Sequence, residues 1–270
     1  MTTITLDRPI SAAEPRVSVA EGLRNTGTLA WRTLVQIKHN PFELLDFSVQ
    51  PVMFLLLFTY VFGGAIAGST GDYLTFGLPG IIVQNMLFAT LNTGIGLNTD
   101  LTKGVFDRLR SLPIARYSPL AGRIVADVIK QAWAMALLLG VGMLLGFRIG
   151  TGPAEVLGAF GLLLAFALAA SWMSVLVAML VSAPEKVQIF GFVLLFPLTF
   201  ASNAFAPTAS MPGWLQAWVK VNPVSILTDA VRGLLSGGPV AGPVTQSLLW
   251  AAALLVVFAP LSVWAFRRRV

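Results

Sequence analysis

The chain of 270 residues has no cysteine and a single histidine, His39. No disulfide framework, thiol nucleophile, cysteine-ligated zinc site or multi-histidine metal site can be built from it. Charge is also scarce: Asp, Glu, Lys and Arg make up 11% of the residues, against roughly 25% in an ordinary soluble domain. No lysine follows a glycine. The Gly-Lys-Ser/Thr end of a phosphate-binding loop is therefore written nowhere, and the chain does not hold ATP in that manner. The opening stretch MTTITLDRPISAAEPRVSVA lacks the continuous apolar core of a secretory signal and reads as a solvated tail.

Apolar residues account for 56% of the chain, enough for about six crossings at about 20 residues each. An ionised side chain at mid-bilayer costs at least about 2.5 to 3.5 kcal/mol on insertion scales, so charge-free intervals mark the spans. Six emerge: 47–71, 73–99, 131–147, 156–184, 187 to near 205, and 245–266. The expectation is an all-α integral membrane protein with six transmembrane helices over residues 47–266. A tail and an amphipathic interface helix precede them over 1–46, and a basic tail follows at 267–270. Between the last two spans, residues 206–242 are rich in Pro and Gly and carry Trp214 and Trp218 at i, i+4. They read as an external region of short re-entrant or interfacial helices.

With a cytoplasmic N-terminus, fifteen of the eighteen Lys and Arg lie inside, leaving only Arg148, Lys220 and Arg232 outside. The positive-inside rule thus places both termini of a multi-pass plasma-membrane protein in the cytoplasm. The basic balance of +6 needs no nucleic acid to explain it.

In the N-terminal helix, Ala20, Leu23, Gly27, Ala30, Leu34 and Ile37 form one stripe, while Arg24, Thr28, Arg32 and Gln36 form a polar row. In the loop 99–130, Leu101, Val105, Leu109 and Leu112 line one helical face until Pro113 stops it. Lys103, Asp107, Arg108 and Arg110 lie on other faces. Such a helix either docks in a partner's cleft or carries its charges only as topology signals.

The span centres contain no Asp, Glu, Lys, Arg or His, which argues against proton coupling and against any catalytic residue. They do contain uncharged polarity. Gln50, Thr59, Thr90, Thr93, Ser171, Ser174 and Ser202 belong to it and could line a path, and Gln84, Asn85, Asn92, Thr199 and Asn203 are the candidates singled out for that role. Helix-to-helix hydrogen bonding, worth about 0.6 kcal/mol per bond in measured cases, is the competing reading. In the external region Asn222-Pro223 precedes Asp229 and Arg232 at i, i+3, a spacing that by itself reads as a local ion pair worth about 0 to 1 kcal/mol.

The string GVFDRLRSLPIARYSPLAGRIVAD, residues 104–127, resembles the permeases of type-2 ABC exporters, particularly the daunorubicin-resistance group. A second string, SNAFAPTASMPGWLQAWVKVNPVSILTDAVRGLL, residues 202–235, is similar to that family's external region, with its Met-Pro, Asn-Pro and Asp-x-x-Arg-Gly elements. The resemblance implies a permease that pairs as two copies with two copies of a separate ATPase subunit. ATP and magnesium would bind there, and this chain would carry no cofactor. It also implies an ATPase-coupling helix on Phe106, Asp107, Arg108, Leu109, Arg110 and Leu112, with Arg123 in the same matched string, and an external motif of Asn222, Pro223, Asp229 and Arg232. By the same resemblance, spans one, two and five face the second copy. The implied cargo is a hydrophobic or amphipathic drug, antibiotic or natural product. The alternatives are a lipid, glycolipid or polysaccharide precursor, or a carrier or channel that works without an ATPase.

Overall fold

The computed structural model describes residues 19–39, 41–105 and 118–269, and among these every regular element is helical. Helix α1 spans Val19–His39. The first membrane helix begins as α2, Pro41–Leu57, widens into a π turn at Phe58–Phe62, and finishes as the short α3, Gly63–Ala67. Gly68 ends it with φ +77°, a left-handed conformation that only glycine adopts freely. Ser69 then opens α4, Thr70–Thr102, by accepting the Asp72 N–H at 3.0 Å and donating to the Asp72 carboxylate at 2.6 Å. Two residues thus turn the chain through the hairpin between the first two spans.

Helix α4 has 33 residues, about 50 Å at 1.5 Å per residue, and is the axle of the bundle. It packs on α5 (Ser118–Leu144), α6 (Pro153–Leu180), α7 (Pro184–Phe200) and α9 (Pro223–Ser236). Such crowding requires small residues at the crossings. A Cβ on Gly94 would lie 2.5 Å from the Ser174 carbonyl, and one on Gly80 would lie 2.1 Å from that of Ala204. The remaining elements are a 3-10 turn at Thr208–Ser210, α8 (Gly213–Val221) and α10 (Ala241–Arg269). Helix α10 lies along α6.

Among the described residues five helical stretches are long and apolar enough to cross a membrane: Ser48–Ala67, Thr70–Thr102, Gly122–Leu144, Pro153–Leu180 and Ala241–Phe266. The fifth expected span is shorter than its charge-free interval. Helix α7 stops after 17 residues, because the buried Asn222 side chain donates to the Leu198 and Ala201 carbonyls at 2.8 and 2.9 Å and ends the helix there. The same side chain accepts the Val224 N–H at 2.9 Å and opens α9.

The third span differs in the other direction. Helix α5 starts at Ser118 rather than near Gln131, and the charges that set the expected boundary lie within it. Arg123 pairs with Asp100 at 2.5 Å, and Lys130 lies 3.7 Å from Asp127.

Helix α1 is held against α5 by the protein as well as by its amphipathic pattern. A Cβ on Gly122 would meet the Leu29 side chain at 2.9 Å, the Thr26 carbonyl at 3.0 Å and the Ala30 backbone at 3.1 Å. The contact face therefore contains Thr26, Leu29 and Ala30. Gly27, expected on the apolar stripe, is exposed, as are Arg24, Thr28 and Arg32 of the polar row.

At one end of the bundle Leu97, Val175, Ala178, Met179, Val187 and Ala265 form a separate apolar cluster. There the buried Asn98 donates to the Ala178 and Val181 carbonyls at 2.8 and 2.9 Å, satisfying the end of α6. Asn98→Ala leaves both carbonyls without their donor and is expected to cost about 2 kcal/mol. The check is a lower midpoint of thermal unfolding in detergent, followed by tryptophan fluorescence. Asn98→Asp, which cannot donate, is expected to lose at least as much.

Candidate functional site

A groove of about 560 Å³ runs between α2, α4 and α7. Five amide side chains line it: Gln50 from α2, Gln84, Asn85 and Asn92 from α4, and Gln188 from α7. Among the described residues none of these amides makes a hydrogen bond, and none of the groove residues is charged. At membrane depth an amide without a partner is costly, and such backbone or side-chain polarity persists only where it faces water, a ligand or another chain.

The apolar wall is aromatic. Phe54, Phe88, Phe192, Phe196 and Phe200 line the groove, and ring contacts join them into one continuous series. From Phe62 it passes to Phe58 (5.2 Å between centroids), Phe205 (4.9 Å), Phe200 (4.9 Å), Phe196 (4.3 Å), Phe192 (5.1 Å) and Phe88 (5.7 Å). Helical spacing builds the two rails, since Phe54, Phe58 and Phe62 recur at i, i+4 and so do Phe192, Phe196 and Phe200. Phe205, in the irregular segment after α7, bridges them and also meets Phe54 at 6.0 Å.

The structure brings Gln84, Asn85 and Asn92 together in this groove and places the other two path candidates elsewhere. Thr199 is buried and donates back to the Leu195 carbonyl at 2.8 Å. Asn203 is committed to the external region described next. Gln50 belongs to the uncharged polarity read in the first span, whereas Gln188 lies outside that set. Gln188 stands two residues after Lys186 and reads in sequence as part of the polar head of its span.

The Asp229–Arg232 motif is more than a local ion pair. Arg232 donates to Asp229 Oδ1 at 2.8 Å, to the Asn203 carbonyl at 3.2 Å and, through Nε, to the Phe76 carbonyl at 3.2 Å. Its guanidinium also lies 4.2 Å over the Phe76 ring. Asn203 Nδ2 donates to the same Asp229 oxygen at 2.9 Å. One arginine thereby ties α4, the segment after α7 and α9 into a latch. Burial pushes the Asp229 carboxyl above the ordinary carboxylate value, while Arg232 and the Asn203 amide pull it back. Asn222 and Pro223 form the shared cap that aims α9 into this latch.

Of the residues assigned to coupling, Phe106, Asp107, Arg108, Leu109, Arg110 and Leu112 lie outside the described residues. Arg123 lies within them. Its Nη1 donates to Asp100 Oδ2, and its guanidinium fills the space beside Gly96, where a Cβ would collide with it. The pair joins α4 to α5 on either side of the segment 103–117. Among the described residues no group of His, Asp or Glu is placed to hold a metal ion.

The model of the ABC-2 type transporter family matches residues 24–235. The daunorubicin resistance ABC transporter permease of Streptomyces coeruleorubidus is 41% identical over 97% of this chain and 93% of its own length. A Mycobacterium tuberculosis permease named for doxorubicin resistance is 31% identical over 96% of this chain and 93% of its own length. A second permease so named in the same organism is 26% identical over 84% of this chain and 83% of its own.

Proposed function

We propose, since the chain belongs to the ABC-2 type transporter family, that it is the membrane-spanning permease of an ATP-driven exporter whose cargo is an uncharged or weakly charged aromatic amphipath. The observation that carries the cargo class is the groove. Phenylalanine rings stack on flat apolar rings at 4.5 to 7 Å, and the five free amides each offer a donor and an acceptor to hydroxyl and carbonyl substituents. Drug resistance in the relatives' names agrees with that chemistry.

In this reading both termini are cytoplasmic and α7 is the short fifth of six spans. Two copies face one another across α2, α4 and α7, so that the second copy closes each groove. A separate ATPase binds the segment 103–117. When ATP draws the two ATPase subunits together, that segment moves. The Arg123–Asp100 pair passes the displacement to α4 and α5 at once, and α4 carries it to the groove. The Arg232 latch keeps the external cap attached to α4 while the pathway opens outward. ATP supplies the work, and this chain supplies the binding surface and its change of access.

The test is ATP-dependent accumulation of a fluorescent anthracycline in inverted vesicles holding the chain and its ATPase, with an ATPase-dead control. Accumulation that vanishes in the control supports the reading. In the Arg108→Glu, Arg110→Glu double variant, ATPase co-purification or accumulation is expected to fall at least tenfold, about 1.4 kcal/mol or more of lost coupling, with the permease still inserted. Full transport by that variant would sink the coupling assignment.

A further inference from the structure

We propose that a second groove, between the end of α6 and the start of α7, binds an anionic phospholipid whose headgroup phosphate sits on Lys186. This groove has a volume of about 520 Å³ and is lined by Val177, Leu180, Val181, Ser182, Lys186 and Phe190. It is separate from the amide groove. Phe190 stands two residues from both Gln188 and Phe192, which places it on the opposite side of α7.

Among the described residues, the cation of this groove has no counter-ion. Lys186 Nζ donates to the neutral Ser182 Oγ at 3.1 Å and, among the described residues, meets no carboxylate. The nearest acid in sequence, Glu185, is exposed in the same turn and forms no ion pair with it. Lys186 also stands in the first turn of α7, where the helix dipole disfavours a cation and favours an anion. Glu185 already gives that turn one negative charge, so the call for an anionic ligand rests on the Lys186 ammonium, which meets no carboxylate among the described residues.

The walls call for hydrocarbon. Leu180 and Phe190, 68% and 56% exposed, line the groove with Val177 and Val181. Both valines pack against the same apolar cluster as Phe266 of α10, which precedes Arg267, Arg268 and Arg269 in sequence. A phosphate next to an acyl chain satisfies lysine and apolar walls at once, and the anionic cytoplasmic leaflet supplies it. Only the choice of leaflet rests on the orientation proposed above.

The experiment is native mass spectrometry of the full chain in micelles containing phosphatidylglycerol and phosphatidylcholine with identical acyl chains. The wild type is expected to retain phosphatidylglycerol several-fold over phosphatidylcholine, Lys186→Gln to lose that preference, and Lys186→Arg to keep it. Equal retention of the two lipids by the wild type, or an unchanged preference in Lys186→Gln, overturns the site. So does a preference abolished by replacing only Arg267, Arg268 and Arg269 with glutamine, since the basic tail would then be the binding element. Ser182→Cys, unique in a chain without cysteine, reports the leaflet separately through labelling by an impermeant maleimide from one side.

Discussion

Arg232→Ala is expected to lower the stability of the detergent-solubilised protein by about 2 kcal/mol, the range for losing charge-assisted hydrogen bonds and leaving their carbonyl acceptors unpaired. The side chain makes three hydrogen bonds to three different segments and stacks on Phe76. Its removal strips the Phe76 and Asn203 carbonyls of their donor and leaves Asp229 with only the Asn203 amide. Arg232→Lys is expected to recover less than half of the loss, because an ammonium supplies charge but not a planar fork. Thermal or urea unfolding followed by tryptophan fluorescence measures the effect. A variant with an unchanged midpoint would show that α9 is held to α4 by apolar packing alone.

Gly80→Ala is expected to have an effect of comparable size with no change of charge. The added carbon would lie 2.1 Å from the Ala204 carbonyl oxygen. The obstacle is backbone, so no side chain can swing aside, and the segment after α7 must move away from α4. Overpacking costs about 1 to 3 kcal/mol where side chains can adjust; here the upper end is expected. That displacement would also pull the Asn203 carbonyl from Arg232 and Phe205 from between the two phenylalanine rails, so transport should fall with stability. Gly161→Ala supplies the control. It lies within α6, nothing stands within 4 Å of its would-be Cβ, and the change is expected to stabilise by about 0.5 to 1 kcal/mol. The two substitutions add the same methyl group and should move the midpoint in opposite directions.

The membrane architecture was legible because burying charge in lipid is expensive, and the charge-free intervals therefore track α2 through α4, α6 and α10 closely. The method fails where charges are paired or lie beyond the lipid. Helix α5 runs thirteen residues past its expected start because Arg123, Asp127 and Lys130 find partners there. The path residues were legible in part. Asn92 and Thr199 look alike in sequence, each a polar residue in an apolar stretch. Thr199 returns its hydroxyl to its own helix, whereas the Asn92 amide is left without an acceptor, and only the fold separates the two. The phenylalanine rails are written in i, i+4 spacing, but nothing local says that Phe205 joins them. The Asp229–Arg232 spacing likewise suggests a pair confined to α9, because the carbonyls of Phe76 and Asn203 are far away in sequence and carry no side-chain signal.

The π turn at Phe58–Phe62 gives the first span two helical phases. Its inner part packs on α5, whereas the π turn and α3 pack on α4. An unbroken α-helix advances about 100° per residue, so a stripe optimised for one neighbour would continue on past the other. The wider turn resets the angle between them. It leaves Tyr60, Val61 and Phe62 exposed in succession, at 60%, 65% and 43%. One helix thereby meets two partners that lie in different directions, and the angular mismatch between them is absorbed in five residues.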